Sequence, residues 1–220
     1  MRKKLIKRIA VITFFFVTGF SIIGCSRESV PNKNSQPPSV TQSNSVEEKI
    51  GIIKNIEEAG PGPLTKENVS LAGIHIGDSQ EQVLKLYGEP TKKADVYPGA
   101  FYKWDYEDLG LSITFYRRGE QEPVEGVLDV KISAPSKLTT NTGIGIGDSL
   151  ESILNKYDEV YGSKRQGEYR SVFINGANKY EVESPGSKEK IFVTYYPDLI
   201  FELEHNRITN IILSNEQHRP

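Results

Sequence analysis

The sequence has 220 residues, of which 37% are hydrophobic and 25% charged, and 27 Lys and Arg stand against 29 Asp and Glu. This composition is ordinary for one or two globular domains. Because binding to polyanions normally needs an excess of clustered Lys and Arg, the charge balance argues against nucleic acid as a partner. The chain has one cysteine, which excludes an intramolecular disulfide.

Residues 1–24 have the composition of an export signal. Five basic residues lie within the first eight positions, and the apolar run IAVITFFFVTGFSII follows over residues 9–23. This run is shorter than the about 20 apolar residues that a membrane-spanning helix needs. Residues 22–25, IIGC, at the end of this run resemble the bacterial lipobox, which implies cleavage before Cys25 and a diacylglyceryl group on its thiol. The alternative is a free cysteine at the end of an uncleaved anchor helix.

Residues 25–45 and 46–70 are predicted to connect the lipid to the folded part. The first segment is rich in Ser, Pro, Asn and Gln, which favours a flexible tether. Without residues 1–24, 22 Lys and Arg remain against 29 Asp and Glu, so membrane attachment is expected through the lipid rather than a basic patch. The second segment favours a helix, with Ile50, Ile53 and Ile56 at helical spacing. Gly51 and the following GPGP weigh against that helix.

The remaining sequence contains an internal repeat. GIHIGDSQEQVLKLY at residues 73–87 and GIGIGDSLESILNKY at 143–157 are identical at nine of fifteen positions. Apolar strand patterns follow each copy, and the second copy has about 20 additional residues that suggest an extra hairpin. These observations predict an α+β fold of two tandem repeats, residues 71–138 and 139–214, each a short N-terminal helix packed on an antiparallel β-meander. Residues 215–220 are a tail.

The repeated motif has a structural explanation. Asp78 and Glu81 in the first copy, like Asp148 and Glu151 in the second, have the spacing of a helix capping box. The glycine before each Asp would let the chain turn sharply into the cap. Losing a helix cap typically lowers the free energy of unfolding by about 1 kcal/mol. This contribution to stability is an adequate reason for the motif to be present twice.

Two catalytic interpretations of GIGIGDSL are weaker. The motif resembles the GDSL esterase family only at residues 147–150, and the later Gly-x-Asn-Asp and Asp-x-x-His blocks of that family are missing. Ser149 without a base would be a poor nucleophile. A phosphate-binding loop is disfavoured because Asp148 would repel the anion. We therefore expect no enzymatic activity, no metal site and no cofactor. Esterase activity is a distant third hypothesis, behind the binding module and the inhibitor described below.

The strand pattern FYKWDYEDLGLSITF offers a candidate binding surface. Alternation places Tyr102, Trp104 and Tyr106 on one face of a strand. Exposed, these side chains would suit a protein interface. The alternative, that Trp104 belongs to the core, is the favoured one.

The arrangement as a whole resembles a known family. The two helix-opening signatures and the YEDLGLSITF hairpin are similar to the β-lactamase-inhibitory-protein-like fold and to the SmpA/OmlA group of small bacterial lipoproteins, over about residues 70–214. The chain also resembles Firmicutes surface lipoproteins, a resemblance that implies no particular partner. The similarity to the β-lactamase-inhibitory-protein-like fold implies a non-enzymatic role, holding or inhibiting another protein across an aromatic-bearing sheet. Together with the lipobox, it predicts a lipid-anchored, non-enzymatic binding or assembly module on the extracytoplasmic face of the cell membrane, whose partner is an envelope or secreted protein. The alternative is an inhibitor of a secreted or wall-active hydrolase.

Overall fold

The computed structural model describes residues 53–97, 99–119, 124–183 and 191–215. The predicted signal peptide, the tether and Cys25 lie outside these residues. The two helices are α1 (Gln80–Tyr87) and α2 (Leu150–Leu154). The strands are β1 (Lys54–Asn55), β2 (Lys92–Tyr97), β3 (Phe101–Tyr106), β4 (Leu111–Arg117), β5 (Val124–Ser133), β6 (Tyr161–Arg165), β7 (Glu168–Ile174), β8 (Asn178–Glu183), β9 (Ile191–Tyr196), β10 (Asp198–Glu204) and β11 (Arg207–Ser214).

Nine of these strands form a single mixed sheet in the order β1-β6-β7-β10-β11-β5-β4-β3-β2. Neighbouring strands are antiparallel apart from the parallel pair β1 and β6. In the middle, β11 pairs with β5 and sets Ile211 opposite Ile132. The strands of the two sequence copies therefore belong to one sheet. The remaining strands, β8 and β9, form a separate two-stranded hairpin, which is inserted between β7 and β10.

The predicted α+β class, with two repeats each made of a helix on its own meander, is wrong. The described part of the chain is mostly β, and its two helices have only eight and five residues. The sequence pattern marks where each helix begins but says little about its length, and α2 already ends at Leu154. The pattern also cannot show that β5 pairs with β11, which makes the sheet continuous.

One face of the sheet is closed by helices and loops. Alternate residues of β4, Leu111, Ile113 and Phe115, are at most 2% exposed on this face. Val83 of α1 and Ile153 of α2 pack into the same apolar cluster and are fully buried. Burying one such side chain contributes about 1.5–3 kcal/mol. The helices, although short, therefore belong to the core that holds the sheet in place.

The two loops at residues 73–79 and 143–149, which we call the GDS loops, have the same hydrogen bonds. In the first, the Asp78 carboxylate accepts a bond from the His75 N–H at 2.8 Å, and the Gly77 N–H donates to the Val127 carbonyl at 2.8 Å. The equivalent bonds of the second loop join Gly145 N–H to the Asp148 carboxylate and Gly147 N–H to the Ile208 carbonyl, each at 2.8 Å. Each loop is thus closed by its Asp and attached to a strand of the sheet.

The helix caps lie one residue later than the sequence predicts. Asp78 and Asp148, with Glu81 and Glu151 as partners, are not the capping residues; each Asp closes its GDS loop instead. Ser79 caps α1, since its hydroxyl accepts the Gln82 N–H at 3.2 Å while the Gln82 side chain accepts the Ser79 N–H at 2.7 Å. Ser149 caps α2 through the Ser152 N–H at 3.3 Å. Asp and Ser are both good helix caps. Because each Asp carboxylate is bonded within its loop, the Ser that follows it caps the helix.

The segment before the first GDS loop also differs from its prediction. From Lys54 to Glu58 the chain forms β1 and a single 3-10 turn, Ile56–Glu58, rather than a continuing helix. Gly62 then donates its N–H to the Gly176 carbonyl at 2.9 Å. The chain therefore runs beside the residues that follow β7 here, where the GPGP glycines and prolines favour extended backbone.

We predict that Asp148→Ala and Ser149→Ala each lower the free energy of unfolding by about 1 kcal/mol, because each removes the side-chain acceptor of a backbone N–H. Urea unfolding of the purified protein, followed by circular dichroism, measures this. The exposed Lys156→Ala is the control and should change stability by less than about 0.5 kcal/mol. An unchanged midpoint for Asp148→Ala would show that the GDS loop does not depend on its carboxylate.

Candidate functional site: the open face of the sheet

The sheet face opposite to the helices, here called the open face, carries the candidate site. Residues directly opposite each other in antiparallel strands point to the same side, so the strand register defines rows across this face. The central row consists, from β3 to β6, of Asp105, Ser112, Lys131, Ile212, Ile200, Phe173 and Tyr161. This row is polar over β3, β4 and β5 and apolar from β11 to β6.

A depression of about 550 Å³, the polar basin, lies on the polar half of the open face. Lys103 and Asp105 form an ion pair at 3.0 Å, and the Ser112 hydroxyl donates to the Asp105 carboxylate at 2.8 Å. Burial by itself would raise the pKa of Asp105, but the hydrogen bonds from Ser112 and Lys103 outweigh it and hold this pKa below its usual range. Asp105 is therefore ionised at neutral pH, and the basin presents a fixed arrangement of opposite charges.

A second group of polar contacts crosses from β5 to the other half of the sheet. The Ser214 hydroxyl donates to the Asp129 carboxylate. Lys131 lies 3.8 Å from Glu202, whose carboxylate also accepts a bond from the Asn210 amide at 2.7 Å. The side chains around the centre of the open face are thus held by one another, which reduces the conformational entropy that a partner would have to remove.

The apolar half of the open face is partly covered by the β8–β9 hairpin. On this half the rings of Tyr161 and Phe173 stack with centroids 5.9 Å apart. A groove of about 350 Å³, here called the apolar groove, separates the sheet from β9. Ile56 and Val193 stand at this groove with 46% and 41% of their surface exposed. The open face therefore places an apolar groove beside a polar basin.

The aromatic residues that the sequence suggests as a binding surface lie on the closed face. Trp104 and Tyr106 are only 2% and 4% exposed, and Trp104 packs edge-on against Phe115 at 4.8 Å. The Tyr106 hydroxyl donates to the Gly88 carbonyl at 2.9 Å, and burial raises the pKa of this tyrosine. Tyr102 is partly buried against the same cluster. An exposed aromatic surface of these three residues is therefore wrong, and Trp104 is a core residue.

The charged residues of the open face were not predicted from the sequence as a binding surface. The alternation that puts Trp104 on one side of β3 puts Lys103 and Asp105 on the other, and VLDVKIS similarly exposes Asp129 and Lys131. The signal was therefore present, but charged residues at alternate positions are also what any solvated strand shows.

In both copies of the motif the repeated serine caps a helix. The hydroxyl of Ser149 has the N–H and the hydroxyl of Ser152 as its partners and begins α2. His75 belongs to the first GDS loop, and its Nδ1 lies 3.7 Å from the Asp78 carboxylate of the same loop. His205 occupies the turn between β10 and β11, and His218 is outside the described residues. Across residues 53–97, 99–119, 124–183 and 191–215, no cluster of three or more His, Cys, Asp and Glu could hold a metal ion.

Comparison with known proteins provides no family assignment. No protein-family model and no curated protein matches the chain. Among solved structures, an extracellular protein containing a SCP domain from Bacillus anthracis is similar, with 14% identity and a TM-score of 0.37 over 64% of this chain and 44% of that chain. The chain thus spans less than half the length of that protein, and a TM-score this low does not establish a shared fold. None of the described helices is long and apolar enough to span a membrane.

We predict that Trp104→Ala lowers the free energy of unfolding by about 3–5 kcal/mol, because it removes a large side chain from a packed core. Urea unfolding followed by far-UV circular dichroism measures this, since Trp104 is the single tryptophan and its fluorescence is lost. Leu86→Ala, at a position 54% exposed on α1, is the control and should change little. A Trp104→Ala protein with unchanged stability would contradict the core assignment.

Proposed function

We propose that this protein is a lipid-anchored, non-enzymatic binding module on the extracytoplasmic face of the cell membrane, and that it binds an envelope or secreted protein through the open face of its sheet. The observation that carries this proposal is the difference between the two faces. One face is closed by helices and loops, whereas the other presents a polar basin next to an apolar groove.

The open face has the features of a protein-binding surface. Protein interfaces combine apolar contact area with polar groups around it, and binding is stronger when those groups are already in place. The polar groups of the open face are already in place in this sense. Lys103 and Asp105 form an ion pair, and Glu202 contacts Lys131 and Asn210. Phe173 and Ile200 supply partly exposed apolar area in the groove.

The proposal that the function is non-enzymatic rests on the structural roles of the residues in the GDS motif. Ser149 and Asp148, which resemble a catalytic motif, are used as a helix cap and as a loop closure. Nucleophilic catalysis would need a general base at hydrogen-bond distance from the serine. The hydroxyl partner of Ser149 is Ser152, which is not a base.

The lipid anchor makes a direct prediction. Cys25→Ser should remove the thiol that carries the lipid, so that the protein is no longer retained in the membrane fraction. Metabolic labelling with a fatty-acid analogue should mark the native protein and leave Cys25→Ser unlabelled. Because Cys25 is the single cysteine, no other thiol could take the label. Equal labelling of both proteins, or retention of an unlabelled native protein as a transmembrane form, would contradict the anchor.

The binding surface can be tested by site-specific photo-crosslinking in the native envelope. A photoreactive residue at Thr114, in the polar basin, should form adducts with a partner protein, whereas the same residue at the exposed Leu86 on the opposite side should not. Adding Lys131→Glu, which places a like charge beside Asp129 and Glu202, should reduce the Thr114 adducts at least about ten-fold. Equal adducts at both positions would contradict binding through the open face.

The inhibitor alternative predicts a narrower result. If the crosslinked partner is a secreted or wall-active hydrolase, the purified protein should block its activity at stoichiometric concentration. A binding or assembly module should instead copurify with its partner and leave any activity unchanged.

A further inference from the structure

The outer edge of β6 is only partly covered by β1. β1 pairs in parallel with Tyr161 and Gly162, and the chain then forms the 3-10 turn Ile56–Glu58. Within the described residues, no strand pairs with this side of β6 beyond Gly162. The three residues that follow, Ser163–Arg165, are exposed and are here called the β6 edge.

The backbone of Lys164 is available for pairing at this edge. In a strand, the N–H and C=O groups of successive residues point alternately to the two neighbouring strands. The Val160 carbonyl accepts the Lys54 N–H at 2.9 Å, so every second residue from Val160, which includes Gly162 and Lys164, points outward. Because β1 already covers Gly162, the outward groups left for an extended peptide are those of Lys164.

A depression of about 330 Å³ lies next to the β6 edge. A glycine forms part of it, and a Cβ at Gly162 would lie 3.0 Å from the Val172 side chain and 3.1 Å from the Tyr169 ring. The depression is lined by Ile53, Asn55, Gly162, Ser163, Lys164 and Tyr169. A strand added along the β6 edge therefore has room for one of its side chains beside the Tyr169 ring.

The hairpin of β6 and β7 is basic, although the chain beyond residue 24 is acidic, with 22 Lys and Arg against 29 Asp and Glu. Lys164 and Arg165 form no ion pair with any described residue, and the Lys164 ammonium lies 5.1 Å from the centre of the Tyr169 ring. Glu168, the single acidic residue of this hairpin, stands opposite Arg165 but has Arg170 as its ion-pair partner at 3.7 Å. Two cations without an acidic partner therefore stand at the β6 edge.

These charges distinguish between candidate occupants of the β6 edge. If the β6 edges of two copies paired, the Lys164 and Arg165 side chains of both would be crowded together, and like charges across strands are destabilising. Lysine on an edge strand has this protective effect in natural sheets. An acidic strand meets opposite charges instead, so the same two side chains reject one partner and attract the other.

We infer that the β6 edge binds an extended acidic segment of another protein, which pairs with Lys164 and adds a strand to the sheet next to the end of β1. Successive side chains of a strand point to opposite faces, so Lys164 and Arg165 select acidic residues at two adjacent positions. The strand pairing contributes affinity, and the side chains contribute specificity. This inference goes beyond the proposed function, because the depression at the β6 edge is separate from the polar basin and the apolar groove.

The test uses the purified full-length protein and acetylated, amidated hexapeptides. Each peptide has two adjacent glutamates, with valine, isoleucine, leucine or phenylalanine two positions from one of them and threonine elsewhere. A matched set has lysines in place of the glutamates. At least one glutamate peptide should bind about ten-fold more tightly than its lysine counterpart and should protect the Lys164 amide from hydrogen exchange, as measured by NMR. The Arg165 amide, which points to β7, is the internal control and should not change. N-methylation of the alternate peptide amides that face β6 should abolish binding.

Two charge reversals at opposite edges of the sheet separate local charge from overall charge. Lys164→Glu should weaken binding of the glutamate peptides at least about ten-fold and should improve binding of the lysine peptides. Lys92→Glu is the control, because Lys92 is an exposed lysine on β2, the strand at the other end of the sheet, and the net charge changes by the same amount. This control should change binding less than about two-fold. Circular dichroism verifies that both variants are folded.

Three results would overturn the inference. The first is the absence of binding by the whole glutamate set. The second is equal binding of N-methylated peptides, or displacement of the peptides by phosphatidylglycerol vesicles without protection of Lys164, which would indicate a site for anionic groups in general. The third is protection of the Lys164 amide without peptide, which would show that the edge is already covered, by a second copy if the protection increases with protein concentration and otherwise by another part of the same chain. Crosslinking from Thr114 tests the open face independently and should be the same in Lys164→Glu.

Discussion

The pairing of β5 with β11 is the interaction on which the rest of the structure depends. These two strands join the parts of the sheet that contain the two sequence copies, with Val130 opposite Leu213 and Ile132 opposite Ile211 in the core. On the other side of the same strands, Asp129 contacts Ser214 and Lys131 lies near Glu202. A single ladder of backbone hydrogen bonds thus makes one continuous core on one face and one continuous row of side chains across the open face on the other.

The GDS loops show why the same short motif is present twice. Each loop uses its Asp to close on itself, the glycine before that Asp to bond a strand and its Ser to begin a helix. These glycines have φ values of +91° at Gly77 and +89° at Gly147, in a region that residues with a Cβ rarely adopt. The sequence similarity to a hydrolase motif therefore follows from the requirements of a tight, strand-attached turn, which also favour glycine, aspartate and serine.

Local features were predictable from the sequence, and long-range pairings were not. The alternation in FYKWDY placed Trp104 and Tyr106 on one face, and the repeated motif marked the start of both helices to within one residue. The choice between Asp78 and Ser79 as cap depends on a loop bond that only the folded chain shows. The pairing of β5 with β11 joins residues about 80 positions apart, and no local preference encodes it. The open face was missed because the charged residues at alternate positions of β3 and β5 are typical of any solvated strand, and its row exists only once seven strands are in register.

The attachment of β1 has a mechanical consequence. This strand consists of two residues, paired in parallel with Tyr161 and Gly162 at the edge of the sheet, and the next residue along the chain is Ile56 of the apolar groove. A pulling force applied to the chain ahead of Ile53 is therefore opposed first by these few contacts and the Lys54–Glu159 ion pair. Their rupture would shift the groove wall while the β5–β11 ladder, several strands away, was still intact.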